Sequence, residues 1–173
     1  MSKENSTMKP QDILVLLKIT ACGEEPWFQI PMAKDLGLAQ SEMSRSLARS
    51  KYAGLLDATG RKVRRLALMD FIEHGLKYVF PQRPGSMVRG VPTSHSASPL
   101  KEQILSDENF VWPYASGTVK GQAVTPLYKS VPEAVQSDPM LHELLALVDA
   151  IRLGSSREKA IAVKELKQRV LGD

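Results

Sequence analysis

The chain has 173 residues, of which 43% are hydrophobic and 24% charged, enough for one ordinary globular domain or two small ones and too few for a large multidomain enzyme. Its net charge of +4 is uneven, with a net +5 up to Gly90 and −1 beyond it. One cysteine, Cys22, cannot close an internal disulfide, and the three histidines lack the spacing of a structural zinc site. No apolar stretch approaches the length of a membrane span. We therefore expect a cytoplasmic protein without membrane contact, metal or cofactor.

Three helices are predicted in the first third of the chain. The first spans Pro10–Ala21, where apolar residues recur at helical spacing and Pro10 suits the first turn. The second is short, beginning at Pro31 and ending at Gly37, because glycine tolerates the left-handed conformation found at helix ends. The third spans Gln40–Tyr52, contains neither Gly nor Pro, and follows the second after a tight turn.

The third predicted helix has two different faces. Met43 and Leu47 lie one turn apart on its apolar side, and the opposite side carries hydrogen-bonding side chains. A helix-turn-helix needs this division, because one face packs on the preceding helix and the other enters the major groove of DNA. The candidate base and phosphate contacts on this side are Gln40, Ser41, Ser44, Arg45 and Arg49.

A basic cluster overlaps the end of this helix and continues beyond it. Between Arg49 and Arg65 the only acid is Asp57. Such a local excess of cations suits a polyanion, and contacts of this kind hold phosphates without reading base sequence. The cations of this cluster are Arg49, Lys51, Arg61, Lys62, Arg64 and Arg65.

The run Ala33–Leu47, followed by Tyr52–Leu56, resembles the helix-turn-helix of bacterial winged-helix transcriptional regulators that are MarR-like in the broad sense. The resemblance covers roughly residues 10–56 and implies regulation of transcription, as a repressor or as an activator. Two positions depart from the family pattern. Ala39 stands where a Ser or Thr helix cap is usual, which costs about 1 kcal/mol of helix stability, and Ser50 stands where a core Leu is usual.

A winged helix also requires a β-hairpin, and the chain offers two candidates. In the first, Leu55–Leu56 form one strand, Asp57–Lys62 the tip and Val63–Leu68 the returning strand. This hairpin would place Arg61 and Lys62 at a wing tip, over a phosphate or the minor groove.

The second hairpin is the favoured one. Here Val63–His74 form a helix that ends at Gly75, and Leu76–Phe80 then pair with Ser86–Val91 across the turn Pro81–Gly85. It is favoured because Met and Leu suit a helix better than a strand, and because PQRPG is a strong turn signal. In this interpretation Arg83 and Arg89 are DNA contacts on the wing, while the cations at 61, 62, 64 and 65 begin a basic helix.

The second half of the chain differs from the first in composition. Six prolines between Pro92 and Pro139 predict an irregular arm, followed by a helix with Asp138 as its cap. Ser155 and Glu158 form a capping box that opens a last helix. The apolar faces of these two terminal helices predict either an oligomer interface or a lid on the core. The candidate dimer or partner interface is made by Leu141, Leu144, Leu145, Val148, Ile151, Leu166 and Val170.

Together these patterns predict a mainly α fold with a small β-hairpin. The predicted parts are a flexible N-terminus (1–9), a winged helix-turn-helix DNA-binding domain (10–91), an irregular proline-rich arm (92–137) and a C-terminal helical pair for oligomerisation or partner binding (138–173).

The function favoured by the sequence is that of a sequence-specific double-stranded DNA-binding regulator, acting as a homodimer with helix 40–52 in the major groove. The alternative is an antitoxin-like or adaptor protein whose residues 92–173 bind a partner protein, with DNA binding serving autoregulation. An enzyme is not expected, because Ser94 and His95 are adjacent and no acid is placed to orient the imidazole. The sequence does not distinguish a ligand-sensing regulator from a constitutive one, and it leaves a redox-sensing role of Cys22 open.

Overall fold

The computed structural model, which describes residues 6–172, is mainly helical with one small three-stranded sheet. The predicted flexible segment 1–9 therefore lies mostly outside the described residues. The helices are α1 (Pro10–Ala21), α2 (Gln29–Asp35), α3 (Gln40–Tyr52), α4 (Arg65–His74), α5 (Leu76–Val79), α6 (Val131–Ala134), α7 (Pro139–Leu153) and α8 (Ser156–Leu171). The strands are β1 (Met87–Pro92), β2 (Phe110–Pro113) and β3 (Val119–Ala123).

Local signals place several helix ends correctly. α1 and α3 have the predicted bounds, and α4 ends at Gly75 as expected. The Asp138 side chain accepts a hydrogen bond from the backbone N–H of Leu141 at 3.0 Å, so the predicted cap of α7 is confirmed. The capping box at the start of α8 is confirmed as well. α2 begins at Gln29, earlier than predicted, so Pro31 lies within its first turn.

The favoured hairpin is wrong. Residues 76–79 are helical in α5, and β1 pairs with β2 and β3, not with the segment before the turn. The other candidate is present in a minimal form, since Leu56 and Val63 form an antiparallel bridge. Its returning strand is short because α4 begins at Arg65.

The sheet is closed, because each of its three strands pairs with the other two. β1 runs antiparallel to both partners, and β2 runs parallel to β3. Closing so few strands brings backbones into contact, and glycine is required where they cross. A Cβ atom on Gly90 would lie 2.0 Å from the carbonyl oxygen of Trp112, and one on Gly121 would lie 2.6 Å from that of Asn109.

A single hydrophobic core runs from α1 to α8 and includes residues of the segment predicted as an irregular arm. Trp112, in β2, is 1% exposed. The boundary predicted between residues 91 and 92 falls inside β1. A half-buried ion pair of 2.6 Å between Lys18 and Asp138 also joins α1 to the start of α7. Among residues 6–172, no helix is both long and apolar enough to cross a bilayer.

The terminal helices pack on this core, so their role as a lid on it is confirmed and the interface predicted on their leucine face is wrong. All seven apolar side chains assigned to that interface are at most 2% exposed within one chain. They pack against α1, α4 and each other and are unavailable to a second molecule. The residues concerned are Leu141, Leu144, Leu145, Val148, Ile151, Leu166 and Val170.

Replacing Leu145 with alanine is expected to lower the free energy of unfolding by about 2–5 kcal/mol, because a buried leucine leaves a cavity. Leu105→Ala is the matched control, since Leu105 is fully exposed and surface changes usually cost less than about 0.5 kcal/mol. Urea denaturation at several protein concentrations checks this. A loss that grows on dilution would contradict the core assignment and restore an interface.

Candidate nucleic-acid interface

α2 and α3 are joined by a tight turn at residues 36–39. Gly37 adopts a φ of +66°, which favours glycine, and the backbone N–H of Leu38 donates to the Ala33 carbonyl at 2.8 Å. The turn is held from the second half of the chain, because the Ser130 hydroxyl donates to the Leu36 carbonyl at 2.5 Å. Ala39 makes no side-chain cap to α3, as the sequence predicts.

One face of α3 is buried on α1 and α2, with Met43 at 0% exposure. The opposite face is open. The predicted contact residues that lie exposed on α3 are Gln40, Ser41, Ser44, Arg45 and Lys51. Sequence reasoning missed Gln29, at the start of α2, whose amide Nε2 donates to the Ser44 hydroxyl at 2.5 Å. Gln29 therefore extends this polar surface onto a second helix.

Arg49 is a correction, because its guanidinium is buried and cannot contact DNA. It is 2% exposed and binds the Asp12 carboxylate through Nε at 2.9 Å and Nη2 at 2.8 Å. Nη2 also donates to Glu42 at 2.7 Å. The hydrogen bonds to the Asp12 carboxylate raise the pKa of Arg49, although burial of the guanidinium acts to lower it. This residue fixes α3 on α1 and holds no phosphate.

Asp12 is the centre of that buried polar cluster. It is 0% exposed and also accepts hydrogen bonds from the Ser46 hydroxyl at 2.6 Å and the Lys9 N–H at 2.8 Å. Because four donors converge on one carboxylate from both helices, the orientation of α3 relative to α1 is tightly specified.

Arg45 lies at the surface beside the same cluster. Its side chain is 59% exposed and forms an ion pair of 3.2 Å with Glu42. Burial of the Glu42 carboxylate acts to raise its pKa, but hydrogen bonds from Arg49 and Gln11 act in the opposite direction and hold the pKa below its ordinary value. Glu42 therefore stays ionised at neutral pH. Because the Arg45 side chain is largely in solvent, this ion pair contributes little to stability, and Arg45 is free to exchange Glu42 for another partner.

The hairpin of residues 55–64 begins directly after α3. The Asp57 N–H donates to the Lys62 carbonyl at 2.8 Å, and the Arg64 N–H donates to the Leu55 carbonyl at 2.9 Å. The Asp57 carboxylate accepts from the Thr59 hydroxyl and from backbone N–H groups at the tip. These hydrogen bonds, that of Thr59 first, lower the pKa of Asp57. The tip is thus ordered by its own carboxylate.

Arg61 ties the hairpin to the loop before α2. Its guanidinium carbon lies 3.9 Å from the centre of the Trp27 ring, and Nη2 donates to the Trp27 carbonyl. In return the indole N–H of Trp27 donates to the Arg61 carbonyl at 3.0 Å. These contacts hold the cation in place without neutralising it, because neither partner carries a negative charge.

The remaining predicted cations divide into two groups. Lys62 and Arg64 are exposed on the hairpin, and Arg65, at the start of α4, is half-buried with a weak contact of 3.4 Å to the Val170 carbonyl. Arg83 and Arg89 lie elsewhere, because the hairpin expected to carry them is not formed. Arg89 is in β1, directly opposite Lys120 in β3. Their assignment as wing contacts therefore loses its structural basis.

Cys22 is a half-buried free thiol at the end of α1. Burial raises its pKa, with the nearby Lys18 acting in the opposite direction. Since the thiolate is the reactive form, a raised pKa makes this cysteine less reactive than an ordinary one. Among the described residues, no group of three His, Cys, Asp or Glu side chains is placed to hold a metal ion.

No family model, curated protein or solved structure matches this chain. Inference about function therefore depends on the geometry of the residues themselves. The site consists of a short helix, a tight turn, a helix with an open polar face, and a hairpin with exposed cations.

Proposed function

We propose that the protein is a sequence-specific double-stranded DNA-binding transcriptional regulator of the winged helix-turn-helix type, with α3 in the major groove. The observation that carries this proposal is the exposed polar face of α3, whose residues reach solvent while its opposite face is buried. A helix with this division, held after a tight turn, has the shape and chemistry that major-groove reading requires.

The residues on that face have complementary roles. Gln40 suits the adenine edge and Arg45 the guanine edge, because each presents two groups to the base. Ser41 and Ser44 suit phosphate oxygens. Gln29, which is bonded to Ser44, supports the position of that serine.

The hairpin 55–64 takes the role of the wing. The backbone N–H groups of Leu55 and Leu56 donate to the Ser50 carbonyl in α3, so the position of the hairpin depends on that helix. Lys62 and Arg64 point to solvent from it, and Arg61 is braced by Trp27. Cations in this position supply affinity that is sensitive to salt and independent of sequence.

Two copies on a near-palindromic operator remain part of the proposal, but the contact between them is not the leucine face of α7 and α8, which is buried. The antitoxin-like or adaptor alternative assigns partner binding to residues 92–173, but the leucine face of this segment and Trp112 are buried in the core of the chain itself. The exposed face of α3 therefore favours DNA binding.

Arg45→Ala is expected to weaken binding to a preferred duplex by about 1–3 kcal/mol, because a base contact is lost. Arg64→Ala is expected to weaken binding to all duplexes alike and to reduce the slope of log K against log salt by about 0.9, as loss of one phosphate contact does. Fluorescence anisotropy on the preferred duplex and a shuffled one, over a salt series, separates the two effects.

Arg157→Ala is the matched control. Arg157 is exposed at the start of α8. At 1.5 Å per residue, it lies about 20 Å along that helix from Val170. Arg65 contacts Val170, so Arg157 lies at the end of α8 that is away from the basic cluster. It removes one positive charge away from the interface and should leave binding unchanged. Parental affinity in both interface variants would show that the site assignment is wrong.

A further inference from the structure

A cavity of about 310 Å³ lies between the loop that follows α1 and the base of the 55–64 hairpin. This volume is at the lower end of the range for small-molecule sites, so a ligand that filled it would be small. The cavity borders the candidate DNA interface, because Arg61 and Lys62 belong to both.

The cavity has two walls of opposite charge and an apolar floor. One wall carries the exposed carboxylates of Glu24 and Glu25, and the other carries Lys62, the half-buried Arg65 and Arg61, whose guanidinium rests on Trp27. Ile19 and Val63 supply apolar surface between them.

The charges on the two walls do not neutralise each other. Within the part of the chain that the structure describes, no ion pair joins Glu24 or Glu25 to a cation, and none involves Lys62 or Arg65. Among residues 6–172, the hydrogen bond of Arg65 is its long contact of 3.4 Å with the Val170 carbonyl. Five charged side chains, the two glutamates with Arg61, Lys62 and Arg65, thus border one small cavity, and among residues 6–172 no ion pair joins any of the five to another side chain.

The arrangement selects for a ligand with both charges. A simple anion would be attracted by the basic wall and repelled by the acidic wall. A simple cation would be attracted by the acidic wall and repelled by the basic one. A molecule with an anionic group and a cationic group a few bonds apart satisfies both walls and leaves its apolar part for the floor.

We propose that this cavity binds an amino acid with an apolar side chain as a zwitterion, its carboxylate at Lys62 and Arg65 and its ammonium group at Glu24 and Glu25. Ile19 and Val63 receive the side chain. The site is an effector site, and only this regulatory role rests on the proposed DNA-binding function.

The coupling to DNA follows from the shared cation. Lys62 is a candidate phosphate contact, and one ammonium group cannot give its full charge to a ligand carboxylate and a DNA phosphate at once. The amino acid is therefore expected to weaken DNA binding, by a factor in the usual range of coupling between sites, about 5 to 150.

Calorimetric titration of the full chain, without DNA, tests the site with L-leucine and L-phenylalanine. The matched probes are isocaproate and hydrocinnamate, which lack the ammonium group, and isoamylamine and phenethylamine, which lack the carboxylate. At least one amino acid is expected to bind with a Kd below about 1 mM, and both of its matched analogues about tenfold more weakly.

Variants assign the two walls. The double variant Glu24→Gln, Glu25→Gln should abolish the preference for the amino acid over its deaminated analogue, because the carboxylates assigned to the ammonium group are removed. Lys62→Gln should reduce the preference over the amine, and Asp107→Asn, an exposed carboxylate elsewhere, should change neither. The wall positions replaced are exposed, so the variants should fold, and a thermal melt verifies this.

The proposal is overturned if neither amino acid saturates below about 1 mM, or if a singly charged analogue binds as tightly as its amino acid. Failure of the two proposals is distinguishable. Amino-acid binding by a chain that does not bind DNA would contradict the proposed function and leave the site standing. DNA binding without amino-acid binding would overturn the site alone.

Discussion

Replacing Asp12 with alanine is expected to lower the free energy of unfolding by about 3–5 kcal/mol, the usual cost of removing one partner of a buried ion pair. Asp12 is 0% exposed, and its carboxylate accepts two hydrogen bonds from Arg49, one from Ser46 and one from the Lys9 N–H. Without it, Arg49 keeps only Glu42 as a partner. A loss of this size is a large fraction of the stability of an ordinary domain.

The double variant Asp12→Leu with Arg49→Met provides the internal check. If the loss arises from an unpaired buried charge, replacing both partners by apolar side chains should recover much of it. Urea denaturation followed by circular dichroism measures both variants, with Asp107→Ala as the exposed control. A loss below about 1 kcal/mol for Asp12→Ala, typical of surface pairs, would contradict the burial of this cluster.

Asp149→Ala is expected to have an effect of similar size, about 3–5 kcal/mol, through a second buried cluster. The Asp149 carboxylate is 1% exposed and accepts from the Thr93 hydroxyl at 2.7 Å, the Trp112 indole N–H at 2.8 Å and Arg152 Nη1 at 3.0 Å. This carboxylate joins α7 to β2 and to the segment after β1.

The matched change for this second cluster is Thr93→Val, which removes one neutral donor and keeps the carboxylate paired with Arg152. It should cost about 1 kcal/mol, the typical net value of a hydrogen bond. Chemical denaturation followed by tryptophan fluorescence suits both variants, because Trp112 reports directly on the cluster. Equal losses in Asp149→Ala and Thr93→Val would show that the ion pair with Arg152 is not the main contribution.

The longer helices, α1, α3, α4, α7 and α8, were predictable because their signals are local, whereas the one-turn helices α5 and α6 were not predicted. α1 and α3 are bounded by residues that stop or start a helix within a few positions, and the caps of α7 and α8 are set by side chains three residues away. The exposed polar face of α3 follows from the same periodicity, so Gln40, Ser41, Ser44 and Arg45 could be named in advance.

The strands were not predictable, because their pairing is not local. β1 pairs with strands that begin more than twenty residues later, so its neighbour in sequence was the wrong partner to consider. Glycines within strands carried a usable signal, since they often mark a close approach of backbones. Gly90 and Gly121 do mark such approaches.

Buried cations and core leucines show a second limit of sequence reasoning. The sequence around Arg49 does not distinguish it from an exposed arginine, because its partner Asp12 lies 37 residues away. The Glu42–Arg45 pair, in contrast, is visible from its i, i+3 spacing. An apolar helix face such as that of α7 indicates burial, but its sequence does not say whether the same chain or a second one covers it.

The most direct test of the central claim is the anisotropy of the purified chain on two labelled duplexes across a salt series. One duplex covers the DNA upstream of its own coding sequence, and the other has the same bases in shuffled order. We predict tight binding that weakens with salt and prefers the native duplex. Weak and equal binding to both duplexes at every salt concentration would contradict the assignment of α3 as a base-reading helix.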